Sequence, residues 1–183
     1  MIVAGIDYSM TSPALCLHDT ETEFNFENCD FHFLTQLKKY DDVPLENVHG
    51  HYFEYDGDMN RYDLISSFFI DRILDSGAVK VFIEDYSLGS KGKVFNIAEN
   101  TGILKYRLWL LGVPFETIPP TVIKKFATGK GNANKERMQE VFEQENEVRL
   151  KDVLHMTEKQ WNPSSDLIDA YYICKCGLTN MTK

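Results

Sequence analysis

The chain opens on a near-continuous apolar run, Ile2-Val3-Ala4-Gly5-Ile6, which closes on a carboxylate, Asp7, and passes into the turn-prone Ser9-Met10-Thr11-Ser12-Pro13. Such a run predicts a strand covered on both faces, at the centre of a sheet. Residues 12–18 alternate enough for a second strand hairpinned to the first, and residues 23–33 (EFNFENCDFHF) alternate aromatic with polar positions as a half-buried third strand does. From 34 to 57 the pattern weakens and reads as a variable insertion. The period then turns helical: Asp58 or Asn60 caps a helix to about 75, with Leu64, Ile65, Phe68, Phe69 and Ile73 as its apolar stripe and Ser76-Gly77 as its stop. Residues 79–83 (VKVFI) predict a short buried strand ending in Glu84-Asp85, a helix spans about 94–111, and 113–118 is a fifth strand. A short helix follows Pro119-Pro120, another covers about 134–145, and 146–165 read as a loop or frayed helix. A last helix starts at Pro163-Ser164-Ser165-Asp166 and runs to about 176.

This order predicts an α/β fold with a mixed five-stranded sheet flanked by helices: an antiparallel 1-2-3 meander, with strands 4 and 5 parallel. With 183 residues, 43% of them hydrophobic, one domain over 1–183 is expected. The topology puts Asp7 and Glu84 at neighbouring strand ends, where the active sites of open sheets gather.

Charge alters the picture. A net charge of -9 argues against a polyanionic partner, yet residues 91–137 carry Lys91, Lys93, Lys105, Arg107, Lys124, Lys125, Lys130, Lys135 and Arg137 against Glu99, Glu116 and Glu136. One basic block inside an acidic protein suits a surface that tracks a phosphate backbone. No stretch approaches the roughly 18 consecutive apolar residues of a membrane span, and no basic-then-apolar leader opens the chain, so a cytoplasmic protein is expected. Cys16, Cys29, Cys174 and Cys176 form no CxxC pair and read as reduced structural thiols.

Asp166 and Asp169 stand three apart at a helix start and share one face. Aspartates there are also what capping and the helix dipole favour, so the pair alone is as well explained by structure. With Asp7 and Glu84 it makes four oxygen donors suited to Mg²⁺ or Mn²⁺, and like charges so gathered need cations between them. Two such ions would clamp the attacking and leaving oxygens of a phosphoryl displacement. His49-Gly50-His51 would put two imidazoles on one strand face, but no third ligand stands near them in sequence.

Gly5-Ile6-Asp7, Ile83-Glu84, the stretch Pro-Pro-Thr-Val-Ile-Lys-Lys...Gly-Lys-Gly-Asn-Ala-Asn-Lys at 119–135, and Asp166-x-x-Asp169-Ala170 occur in an order that resembles the RuvC-like Holliday junction resolvases of the ribonuclease H-like superfamily, with a phage or mobile-element member expected. The resemblance implies a ribonuclease H-like sheet and a homodimer with the helix at about 96–111 near its two-fold axis. It implies an endonuclease that resolves four-way DNA junctions, and other branched DNA, by paired nicks. Asp7, Glu84, Asp166 and Asp169 would be its metal-binding and catalytic quartet, holding two Mg²⁺ or Mn²⁺. Lys124 and Lys135 match basic residues that contact the scissile region, Lys135 as a catalytic group. Lys91, Lys93, Lys125, Lys130, Arg137 and Tyr86 complete the expected DNA surface. The family's junction-entering aromatic falls at Ser87 here, with Tyr86 and Phe95 nearby.

Two rivals share the core fold. The stretch Gly5 to Ser12 also resembles the phosphate loop of sugar kinases and actin-like ATPases, which need a second domain that 183 residues do not accommodate. The Gly129-Lys130-Gly131 loop lacks the Gly-Lys-Ser/Thr ending of a nucleotide-binding P-loop, so no nucleotide cofactor is expected. A non-catalytic branched-DNA-binding protein is the other rival, but four carboxylates without metal would only weaken its hold on a polyanion.

Overall fold

The structure, a computed structural model, describes residues 1–41, 43, 45–86 and 94–181. The opening run is β1 (Ile2–Asp7), followed by β2 (Ala14–Asp19) and β3 (Cys29–Thr35) in the expected antiparallel meander. Next come β4 (Val48–Tyr52), α1 (Gly57–Ser76), β5 (Lys80–Glu84), α2 (Val94–Leu110) and β6 (Phe115–Ile118). The chain finishes with α3 (Pro120–Thr128), α4 (Lys135–Asn146), the single turn α5 (Leu150–Val153) and α6 (Ser164–Met181). β5 pairs with β1 and β6 with β5, both in parallel, as the crossover order requires.

The sheet has six strands, ordered β4-β3-β2-β1-β5-β6, where the sequence pattern suggests five. The added strand is β4, paired in parallel with β3 inside the region read as an insertion. Its core-facing positions are Val48 and Gly50 and its other face carries His49 and His51, so one apolar side chain is all that marks its period. Gly50 is required there: a Cβ would lie 1.8 Å from the Tyr40 carbonyl oxygen. Residues 23–28 are not strand. Their aromatics alternate because a loop folds onto the core, with Phe26 stacked on Phe31 at 5.3 Å and Phe24 edge-on to Tyr171 at 5.0 Å.

Strand parity sorts the core into two layers. Val3, Phe31, Phe33 and Phe82 face α6 and α4, whereas Ala4, Ile6, Leu34 and Ile83 face α1 and α2. α6 lies close on the sheet because two positions lack side chains. A Cβ on Gly5 would meet the Cys174 backbone nitrogen at 2.3 Å, and one on Gly177 would meet the Phe82 ring at 2.2 Å. Gly177 therefore seats the helix rather than ending it, which is why α6 continues past 176 to Met181. None of the four cysteines is in a disulfide, and all four are buried. Among the described residues no helix is long and apolar enough to cross a membrane.

Candidate active site

β1 and β5 run in parallel register through Ile6 and Ile83, so Asp7 and Glu84, one residue further on each, leave the sheet side by side. The tight seating of α6 on Gly5 brings its first turn over the same strand ends. Asp166 projects from that turn and Asp169 from the next, on the face that continues through Ala170 and Cys174 onto β1. Asp7 and Asp166 are buried, and Glu84 and Asp169 half-buried. All four acids singled out in the sequence thus converge, from three elements far apart in the chain.

Their ionisation is correspondingly costly. Burial, then the charges of Asp166, Glu84 and Asp169, hold the Asp7 carboxyl well above the ordinary carboxylate range. Burial together with the neighbouring Asp169 pushes Glu84 up to about 7, against the pull of Lys124. Burial raises Asp166 to about 7 and Asp169 to about 6, with Lys135 opposing both. The Oδ2 atom of Asp166 is buried without a hydrogen-bond partner. An all-oxygen donor set with mutual repulsion and an orphaned carboxylate oxygen fits hard divalent cations.

The basic residues come from the turn that follows β6. Pro119-Pro120 starts α3, Gly129 ends it in the left-handed region at φ 78°, and the chain doubles back into α4. Asn134 caps α4 by accepting from the Arg137 backbone N–H at 3.0 Å, which fixes Lys135 as the first helical residue. Lys135 Nζ donates to Ser165 Oγ at 3.2 Å, and Ser165 in turn donates to Asn162 Oδ1 at 3.2 Å. Lys124 and Lys135 therefore stand on the acid cluster, whereas Lys125 and Lys130 project outward as exposed groups. Arg137 is held by Glu140 at 3.0 Å. Tyr86 lines an open cleft of about 360 Å³ with Asp7, Thr11, Glu84 and Thr101, and the Lys105 ammonium sits 4.5 Å from its ring centroid. Lys91, Lys93 and Ser87 lie outside the described residues.

Sequence reasoning passed over three groups. Ser165 couples Lys135 to the start of α6, and its signal was its place beside Asp166. Trp161 flanks the gap between Lys135 and Asp169 and carries the Lys151 ammonium 3.9 Å from its ring centroid. Asn100 is fully buried with both side-chain polar atoms unpartnered, next to Thr101 of the cleft wall; an amide in an apolar helix was its signal. A further group of potential ligands has assembled elsewhere. One ligand atom from each of Asp30, His32 and His49 lies within 4.8 Å of the others, at the β3–β4 edge.

No family model matches the chain, and no curated protein matches it. Solved structures do. The chain is 18% identical to Thermus thermophilus RuvC, with a TM-score of 0.62 over 100% of this chain and 97% of that one. The same protein in complex with a Holliday junction substrate gives 16% identity and a TM-score of 0.64 over 99% and 94%. The yeast mitochondrial Holliday junction resolvase Ydc2 gives 13% and 0.53 over 95% and 76%, and the fowlpox virus Holliday junction resolvase 12% and 0.51 over 100% and 99%. The resemblance read from three short acidic motifs and the longer 119–135 stretch is thus matched in three dimensions: this chain has the mixed α/β fold of RuvC and of other Holliday junction resolvases.

Proposed function

We propose that the protein is a structure-selective, divalent-metal-dependent DNA endonuclease that resolves four-way junctions by paired nicks. The observation that carries this reading is the meeting of Asp7, Glu84, Asp166 and Asp169 under Lys124 and Lys135, with burial and mutual repulsion raising the carboxyls. Asp7, Glu84, Asp166 and Asp169 would hold Mg²⁺ or Mn²⁺, two ions per site. Bound there, such ions supply Lewis-acid activation of the attacking water and neutralise charge at the phosphate. The remaining work belongs to the chain. Lys135, steered by Ser165, reaches the scissile phosphate and offsets the charge that develops on its oxygens. Lys124 does so from the other flank. Lys125, Lys130 and Arg137 follow the backbone beyond the cut, joined by Lys91 and Lys93, and Tyr86 offers a ring to the nucleotides nearest the cleft.

The junction as substrate draws support from the fold shared with a RuvC solved on a Holliday junction. Paired nicks need two active sites, and α2 offers the surface for a homodimer. Phe95 and Trp109 on it are 81% and 68% exposed, beside exposed Tyr106 and Leu110. Apolar side chains this exposed on one helix suit burial by a second copy. No nucleotide cofactor enters this reading.

The test is cleavage of a labelled four-way junction and its linear duplex, with Mg²⁺, Mn²⁺ or EDTA, beside Asp7→Asn. Paired nicks in the junction alone, lost in EDTA and in the variant while junction binding survives, are expected. Cutting by Asp7→Asn at the wild-type rate would overturn the site. Junction binding without cutting in either metal would make an architectural role the better account.

A further inference from the structure

The histidines of β4 had no third ligand near them in the sequence; the fold brings two candidate ligands from β3 to one of them, His49. β3 and β4 pair so that His32 lies directly across from His49, and Asp30 sits two residues before His32 on the same face. The Asp30 carboxylate bridges both rings: its Oδ2 hydrogen-bonds His32 Nε2 at 3.1 Å, and its Oδ1 pairs with His49 Nε2 at 3.0 Å. The rings of His32 and His49 stack with centroids 4.8 Å apart. Ligand atoms around a tetrahedral ion with bonds near 2 Å stand about 3.3 Å from one another, and one ligand atom from each of Asp30, His32 and His49 already lies within 4.8 Å of the others, so modest side-chain shifts would close a coordination triangle.

A third imidazole backs the triangle. His51 Nε2 lies 3.3 Å from His32 Nδ1, and its own ring is packed 4.8 Å from that of Phe68 on α1. When His32 binds a cation through Nε2 its proton resides on Nδ1, where His51 Nε2 can accept it. This is the outer hydrogen bond that metal-bound histidines characteristically make. Among the described residues no lysine or arginine forms an ion pair with Asp30, whose partners are the two imidazoles themselves, so a cation entering between them displaces no other charge. Asp30 and His49 are open to solvent, at 49% and 40% exposure, which leaves an entry path.

We infer that Asp30, His32 and His49 form a second metal site, of the mixed nitrogen and oxygen type that takes Zn²⁺ or a similar transition ion rather than Mg²⁺. It lies on the face of the sheet opposite the carboxylate quartet, by the strand parity that puts Leu34 with α1 and Phe33 with α6. Two ligands come from β3 and one from β4, so an ion here pins the edge strand to its neighbour. That strand ends the sheet order and has Val48 as its one buried apolar side chain.

The test is Zn²⁺ binding by the full chain in excess Mg²⁺, followed by calorimetry and by melting, with Co²⁺ absorption reporting coordination. The wild type and Asp7→Asn should each bind one Zn²⁺ with a rise in Tm. His49→Gln should weaken that binding by at least about 100-fold, since even outer-shell losses cost 10–100-fold, and its Tm should ignore Zn²⁺. Asp30→Asn should behave alike and serves if His49→Gln fails to fold. Equal Zn²⁺ affinity in the wild type and these variants overturns the site, as does its loss in Asp7→Asn, which would place the ion among the carboxylates.

Discussion

Asp166→Asn should make the metal-free protein more stable at pH 8 while abolishing its cleavage. The wild-type carboxyl is raised to about 7 by burial and by Asp169. An aspartate so raised binds its proton more tightly folded than unfolded, so the folded state is favoured at low pH. That advantage is lost as pH climbs from the ordinary carboxylate value toward 7, and the full cost of ionisation is present above it. At about 1.4 kcal/mol per pH unit, a rise from 3.8 to about 7 corresponds to about 4 kcal/mol. The same repulsion also raises Asp7, Glu84 and Asp169, so removing one member should recover about 2 kcal/mol, or about 4–8 °C in Tm for a chain of this size. The assay is thermal unfolding in EDTA at pH 5 and pH 8. Wild-type Tm should fall between the two by more than that of the variant, and at pH 8 the variant should melt higher. Adding Mg²⁺ at pH 8 should raise the wild type and leave the variant nearly unmoved. A variant that melts lower than wild type at pH 8 in EDTA would refute the reasoning, because Asp166 would then be a structural hydrogen-bonding group and not a strained ligand.

Lys135→Ala should slow single-turnover cleavage by about 100-fold, with junction affinity falling less than tenfold; an unchanged rate would remove it from the chemistry. Gly5→Ala should cost about 3 kcal/mol, the upper end for overpacking, because its Cβ would meet the Cys174 nitrogen at 2.3 Å and the Ala170 oxygen at 2.6 Å. Chemical denaturation measures this, and cleavage should fall with it as α6 is lifted from β1. Trp109→Glu, at a position 68% exposed, should leave the Tm of the fold nearly unchanged. It should shift the protein from dimer to monomer in sedimentation and turn paired nicks into single ones.

The sequence disclosed elements whose pattern and environment agree. β1 is apolar on both faces because helices cover both, and α1 ends where Gly77 turns left-handed at φ 68°. The four acids were legible because each ends or begins an element, and topology alone then brings strand ends together. What stayed hidden is what depends on a partner distant in the chain. β4 has one apolar residue facing the core, and it is a strand because Tyr40 and Phe33 close over Gly50. Phe24 and Phe26 mimic strand alternation while lying in a loop, since any segment draped over a core presents alternate side chains to it. Ser165 had no signal beyond adjacency to Asp166, because its use is to meet Lys135 across 30 residues.

The period of two that hid β4 also explains how one sheet can keep two cation chemistries apart. Asp7 and Glu84 end strands with their side chains on the α6 face, where Asp166 and Asp169 make the donor set wholly oxygen. Asp30, His32 and His49 occupy the α1 face two and three strands away from β1, where imidazoles dominate. Affinity alone would let a transition ion displace Mg²⁺ from any carboxylate cluster, since such ions bind most donor sets more tightly. Donor type and placement would counter that order: imidazoles would draw the transition ion to the β4 edge, whereas the quartet beside Lys124 and Lys135 offers oxygen donors alone. The protein's response to Zn²⁺ should therefore be biphasic, with stabilisation at one equivalent through His49 and inhibition of cleavage only at an excess that reaches Asp7.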